Sequence, residues 1–259
     1  MRPKYTIFIP VYNSSHLINN FCNNILRQID LPDQILIVDD TMNSKNFQTD
    51  IKKKLSPLDK KVELTLIKNL KNLRPSLCWN RNINKFRNNL VFRMDADDFW
   101  NENHTSKMID GYLLDKNNLL YAQTSKFKLS KLFINNDLLF INPLIHSSCL
   151  FNLNICNFIY PDTNQPYDDL KAYIKIKYLL KKNIKILNFK TCKVNTTRSG
   201  RWSNQSKSFK KKEYLKKLFL LALKKKLNIK KINLITMFKL FYIYNIFQIL
   251  FILYKIHQN

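Results

Sequence analysis

Short runs of β-branched and aromatic residues recur through the first hundred positions, and each stops at a polar cluster. Residues 5–9 run into Pro10 and the loop 11–15. Residues 34–38 end at Asp39-Asp40, residues 62–67 form a third run, and residues 90–94 end at Asp95-Ala96-Asp97-Asp98. Runs this short and apolar read as buried strands. Between them lie segments with helical spacing. One carries Leu17, Ile18, Phe21, Ile25 and Leu26 behind a Ser14 or Ser15 cap; the others cover 46–58, stopped at Pro57, and 76–87. Strands and helices alternating at this length predict a doubly wound, mostly parallel α/β sheet. In such sheets a ligand sits beyond the carboxyl ends of the strands. Residues 10–13, Asp39-Asp40 and 95–98 all fall there, so three polar clusters converge on one rim.

Beyond residue 105 the pattern thins. A helix is expected over 106–114, strands over 119–123 and 126–133 as a hairpin, a strand over 146–151, a helix over 169–180 and a strand over 184–189. The last fifth changes character. Residues 207–259 hold 13 Lys and a single acid, Glu213, and 232–254 are apolar almost throughout, broken by Lys239, Asn245 and Gln248. The expected division is a catalytic domain over 1–206 and a basic, hydrophobic helical tail over 207–259.

Composition excludes several classes. The 259 residues are 45% hydrophobic, enough for a core and too many for a disordered chain. There are 2 glycines, Gly111 and Gly200, which rules out any Gly-rich phosphate loop. That argues against a nucleotidyltransferase, which also uses an α/β domain and paired Asp. The five cysteines form no C-x-x-C pair and read as reduced, buried thiols. The apolar run at 5–11 is too short for a signal peptide, so a cytoplasmic protein is expected. The net charge of +26 points to a polyanionic partner: nucleic acid, an anionic membrane or a phosphorylated substrate. No nucleic-acid-binding motif accompanies it, and nucleic acid is not favoured.

Asp95 and Asp97, two apart at a strand end, point the same way if the chain is extended. Two close carboxylates repel, and a divalent cation relieves the repulsion; oxygen ligands with open positions suit Mn²⁺ or Mg²⁺. The plainer alternative is that Asp97 or Asp98 caps the following helix.

Ile7-Phe8-Ile9-Pro10-Val11-Tyr12-Asn13, Ile35-Leu36-Ile37-Val38-Asp39-Asp40, Arg81-Asn82 and Met94-Asp95-Ala96-Asp97-Asp98, in this order and spacing, resemble the family 2 glycosyltransferases. The resemblance covers the first hundred residues well and continues loosely to about 200. It implies a GT-A fold, a nucleotide-sugar donor (a UDP-sugar favoured), a glycan or lipid-linked acceptor, and transfer with inversion. Carried over by position, it implies that Pro10 and Tyr12 border the nucleobase and that Asp40, or its neighbour Asp39, accepts a hydrogen bond from it. Arg74 and Arg81 would approach the nucleotide. Asp95 and Asp97 would hold the ribose and metal edge, Asp97 foremost for the metal, and Asp98 completes the motif. Two departures stand out: Thr41-Met42 follows the Asp pair where the family has Gly-Ser, and Ser76 stands near the glycine expected before Arg81-Asn82.

The resemblance also implies a general base at the second residue of an acidic pair opening a helix. Here that pair is Asp168-Asp169, which makes Asp169 the base; the same residues also read as an N-cap. His146 is either a lining residue of the sugar or diphosphate site or a structural histidine. Arg198 and Trp202 match a late segment that closes over substrate, though Trp202 reads equally as packing. Cys149 reads as a buried thiol, since no covalent step is required. For the tail, three readings compete: an amphipathic helix on an anionic membrane, a helix packed on the domain or in a dimer, and a true span.

Overall fold

The computed structural model describes residues 2–13, 15–41, 46–123, 146–160, 172–173, 175–176 and 180–195. A seven-stranded sheet organises them. Its strands are β1 (Thr6–Val11), β2 (Gln34–Asp39), β3 (Glu63–Lys68), β4 (Leu90–Arg93), β6 (Leu120–Gln123), β7 (Cys149–Asn152) and β8 (Ile184–Leu187), in the order β3-β2-β1-β4-β7-β6-β8. The first four run parallel, β7 runs antiparallel to both neighbours, and β6 and β8 are parallel. The sheet is therefore parallel except for β7, as the alternation of strands and helices predicts.

Side chains alternate across the sheet and both faces are covered, which is why the central strands read as continuous apolar runs. Ile7, Ile9, Ile35, Ile37 and Phe92 face one layer. There they meet Phe21 and Ile25 of α1 (Ile18–Leu26), Ile51 and Leu55 of α2 (Phe47–Leu55), and Met108 and Ile109 of α4 (His104–Leu114). Phe8, Leu36, Val38 and Val91 face the other layer, with Trp79 of α3 (Arg74–Asn82), Phe158, Tyr160 and Tyr173. Trp79 is its centre: fully buried, ringed by Phe8, Phe86, Phe151 and Tyr160 at 4.8–5.8 Å, with its indole N–H donated to the Phe158 carbonyl at 2.9 Å. The four buried cysteines divide between the layers, Cys22 and Cys192 in the first, Cys78 and Cys149 in the second.

Several boundaries differ from expectation. Ser15 does not cap α1; a 3₁₀ turn, Ser15–Leu17, leads into it. Helix α3 starts two residues before Ser76, with Pro75 in its first turn where a missing N–H costs nothing, and gives way at Ile83–Lys85 to a 3₁₀ turn. His146–Ser148 is a 3₁₀ turn, and the strand begins only at Cys149. A two-stranded ribbon of β5 (Phe99–Trp100) and β9 (Cys192–Lys193) was not anticipated. The expected strand 126–133, the start of the helix 169–180 and the whole tail lie outside the described residues. Among the described residues no helix is long and apolar enough to cross a membrane.

Trp79→Ala removes the largest contact surface of the second layer and strands the Phe158 carbonyl. It should lower unfolding free energy by about 3–5 kcal/mol, measured by urea denaturation.

Candidate active site

The rim is set by backbone register. Val11, Asp39 and Lys68 stand side by side across β1, β2 and β3, so the chain leaves all three strands at one level. The Asp40 amide donates to the Val11 carbonyl at 2.7 Å, and the Asn69 amide to that of Asp39 at 2.8 Å. Next door, the Met94 amide donates to the Phe8 carbonyl, which brings the 95–98 loop out beside β1. Pro10 is buried within β1, and Tyr12, just beyond it, is 47% exposed. Asn13 takes a left-handed φ of 47°, which asparagine tolerates, and donates its amide to Thr41 Oγ1 at 2.8 Å. Thr41, where the family has glycine, is tied in turn by its amide to Asp39 Oδ1 at 2.9 Å.

Asp40 is 2% exposed. Its carboxylate accepts the Leu73 amide on both oxygens at 2.8 Å, the Arg74 amide at 2.7 Å and Asn69 Nδ2 at 2.8 Å. Arg74 opens α3 with φ at 68°, a left-handed conformation that costs a side-chain-bearing residue about 1–2 kcal/mol. The Asp40 bonds hold it there. Arg81 is exposed in the last turn of α3, about 10 Å along the helix axis from Arg74. The structure thus gathers Tyr12, Asp39, Asp40 and Arg74 and sets Arg81 apart from them.

The acidic loop is held from several sides. The Asp95 amide donates to Ser147 Oγ at 2.7 Å, and the Asp98 amide to the Asp95 carbonyl at 3.1 Å. Asp95 and Asp97 are partly exposed; Asp98 is buried and accepts the Asn195 amide at 2.9 Å. Burial pushes the Asp98 carboxyl up to about 7, and the charges of Asp95 and Asp97 push the same way. Three carboxyl groups thus crowd this strand end, Asp95 and Asp97 partly exposed and Asp98 buried beside them. Among the described residues no three His, Cys, Asp or Glu side chains form a ready metal cage. Mg²⁺ and Mn²⁺ do not need one where substrate oxygens complete the shell.

Three side-chain amides spaced four residues apart, Asn20 and Asn24 on α1 and Gln28 just past its end, carry the loop's backbone. Asn20 Nδ2 donates to the carbonyls of Ala96 at 2.9 Å and Asp98 at 3.2 Å, Asn24 Nδ2 to Asp98 at 2.9 Å, and Gln28 Nε2 to Asn101 at 2.9 Å. Asn24 Oδ1 accepts the Trp100 amide at 3.2 Å, and Gln28 Oε1 the Thr105 amide at 3.1 Å. Sequence reasoning passed over all three, although their spacing of four beside Phe21 and Ile25 was there to be read. It also passed over Arg93, a lone charge in an apolar strand. Arg93 is buried, 3.5 Å from the Asp95 carboxylate, its guanidinium carbon 5.4 Å from the Tyr160 ring centre.

His146 is buried edge-on against Tyr160, ring centres 5.3 Å apart, and its Nε2 has no hydrogen-bond partner among the described residues. Burial, and then the Arg93 charge, hold its pKa well below the usual value, so the ring is neutral. His104 is structural: fully buried, its Nδ1 2.8 Å from Thr191 Oγ1, its pKa pushed down to about 3 by burial. Cys149 is buried, as expected. Asp168, Asp169, Arg198 and Trp202 lie outside the described residues.

Asn24→Leu keeps the branched shape, strands the Trp100 amide and leaves the Asp98 carbonyl with the longer bond from Asn20 alone. The stranded amide should cost about 1–3 kcal/mol, read by urea denaturation.

Residues 6–170 match the family described as Glycosyl transferase family 2. Similar solved structures include the mannosyltransferase PcManGT from Pyrobaculum calidifontis in complex with GDP-Man and Mn²⁺, at a TM-score of 0.65 and 17% identity over 86% of this chain and 65% of that one. S. aureus TarS 1–349 in complex with UDP-GlcNAc is similar at a TM-score of 0.62 and 18% identity, over 88% of this chain and 68% of that one. The chain thus spans about two thirds of the length of these structures. A search of curated proteins by sequence finds no match. The fold is the GT-A fold of these neighbours, and with well over half of its residues inside the family match, the chain belongs to glycosyl transferase family 2.

Proposed function

We propose that the chain is an inverting glycosyltransferase that moves a sugar from a nucleoside-diphosphate donor to an acceptor hydroxyl with the help of a divalent cation. The observation that carries this reading is the acidic strand end, where Asp95 and Asp97 stand partly exposed on a turn pinned by Ser147, beside the ends of β1 and β2 that carry Tyr12 and Asp39. Two partly exposed carboxylates on one short turn suit a divalent cation whose remaining positions a diphosphate fills. Asp97, with Asp95, would hold Mn²⁺ or Mg²⁺, which supplies charge neutralisation to a departing diphosphate. The neighbour with GDP-Man also carries Mn²⁺. Pro10 and Tyr12 border the base, Asp39 flanks it at the end of β2, and Arg74, with Asp40 behind it, faces the phosphates. A UDP-sugar is the favoured donor; one neighbour holds UDP-GlcNAc and another GDP-Man.

The base is Asp169, paired with Asp168 within the last residues of the family match. It takes the proton of the acceptor hydroxyl as that oxygen attacks the anomeric carbon opposite the leaving diphosphate, which inverts the centre. His146 and Asp98 support the sugar side of the rim. The acceptor is a glycan or a lipid-linked glycan, and the basic tail 207–259 holds the enzyme at the anionic inner face of the membrane, each surface Lys contributing about 1 kcal/mol.

A thermal-shift screen of UDP-, GDP- and dTDP-sugars with Mn²⁺ tests the donor reading. A ligand at 100 times its Kd should add about 2.7 kcal/mol of stability. Asp97→Ala should abolish transfer and leave thermal unfolding unchanged; full activity in this variant, or in excess EDTA, would count against metal assistance. Asp169→Asn should slow transfer by about 10² to 10⁴ with donor binding intact. A product that keeps the donor's anomeric configuration would sink the single-base mechanism.

A further inference from the structure

Asp40 has no capacity left for a nucleobase. A carboxylate offers about four acceptor positions. Here three N–H groups, the amides of Leu73 and Arg74 and the side-chain amide of Asn69, bond its two oxygens at 2.7–2.8 Å, with the Leu73 hydrogen shared between both, and the residue is 2% exposed. The Cys78 thiol is a further hydrogen-bonding neighbour. The carboxylate also sits where an anion would otherwise meet the N-terminus of α3. A phosphate approaching that helix end finds the seat taken by the protein's own charge and must be met by a side chain instead. Arg74 is the residue there, and its backbone is bent into the left-handed region at φ 68° while both its own amide and that of Leu73 point to Asp40.

We propose that Asp40 is a positioning residue that acts on the donor's diphosphate through Arg74 and does not touch the base. It clamps the 69–74 loop, starts α3 at Arg74, and fixes where the guanidinium stands on the rim. A guanidinium held in one geometry binds a diphosphate through paired N–H donors; the same group on a loose loop does not. The inference rests on the donor reading above for its ligand and on the hydrogen bonds alone for the clamp.

The test uses the full chain with Mn²⁺ and four probes: UDP, GDP, and the corresponding nucleosides uridine and guanosine. Asp40→Asn should weaken binding of the preferred diphosphate at least about tenfold, a loss of roughly 1.4 kcal/mol, and leave nucleoside binding unchanged. Arg74→Ala should lose as much or more, and the double variant should be no worse than Arg74→Ala alone. Equal weakening of nucleoside and diphosphate, or losses that multiply, would overturn the proposal. Asn69→Ala, which removes one donor and keeps the charge, should give the same split at smaller amplitude even if Asp40→Asn folds poorly. Amide hydrogen exchange is an independent arm: Leu73 and Arg74 should exchange faster in Asn69→Ala, and unchanged rates there would refute the clamp. If the unmodified chain binds neither UDP nor GDP, the donor reading falls and the exchange arm alone decides the clamp.

Discussion

The carbonyls of Ala96 and Asp98 leave the sheet with no strand to pair with; Asn20 and Asn24 of α1 take them up, and Gln28, just past the helix, joins the His104 amide on the carbonyl of Asn101. Everything at the acidic rim depends on that. A loop carrying three carboxylates cannot be regular, because a strand would splay them and a helix would turn one away. Irregular backbone that is also buried must find partners for its polar groups or lose several kcal/mol. Asn20, Asn24 and Gln28 supply them without adding charge. The loop's shape is thus inherited from a helix more than 70 positions earlier in the chain, and its acidity is left undisturbed.

The other half of the rim follows the opposite rule. Between β2 and α3 the connector is a charge, Asp40, satisfied by backbone amides and one asparagine. A neutral amide could not hold two N–H groups and a strained Arg74 together as well, since charge-assisted bonds are about twice as strong as neutral ones. Arg93 makes a third arrangement, a buried cation beneath Asp95 whose burial is tolerable because a carboxylate and an aromatic face stand beside it.

What could be read in the sequence was what is local. The strands β1, β2 and β4 were legible because parallel strands buried on both faces are apolar without interruption, and the polar clusters that end them, acidic after β2 and β4, were legible as breaks in those runs. Asp39, Asp40, Asp95 and Asp97 do reach one rim. The start of α3 was missed because Asp40, 34 residues before Arg74, sets it. The 3₁₀ turn at His146–Ser148 was missed because its serine bonds to Asp95, not to a strand. The β5–β9 ribbon joins two-residue strands, too short to leave any periodicity, and Gln123 holds it by accepting the amides of Thr191 and Cys192. Asp98, which completes the motif in the sequence, lies buried in the structure.

Four of the five thiols are sealed inside the fold, and burial pushes those of Cys22, Cys78 and Cys192 up, Cys22 to about 12. While the sheet stands, these three remain protonated and out of reach of alkylating reagents. Cys22 and Cys192 lie under one helical layer, Cys78 and Cys149 under the other. The chain therefore carries its own clock: the rate at which each sulfur becomes labelled times the opening of the layer above it, and a difference between the two pairs would reveal which side of the sheet lets go first.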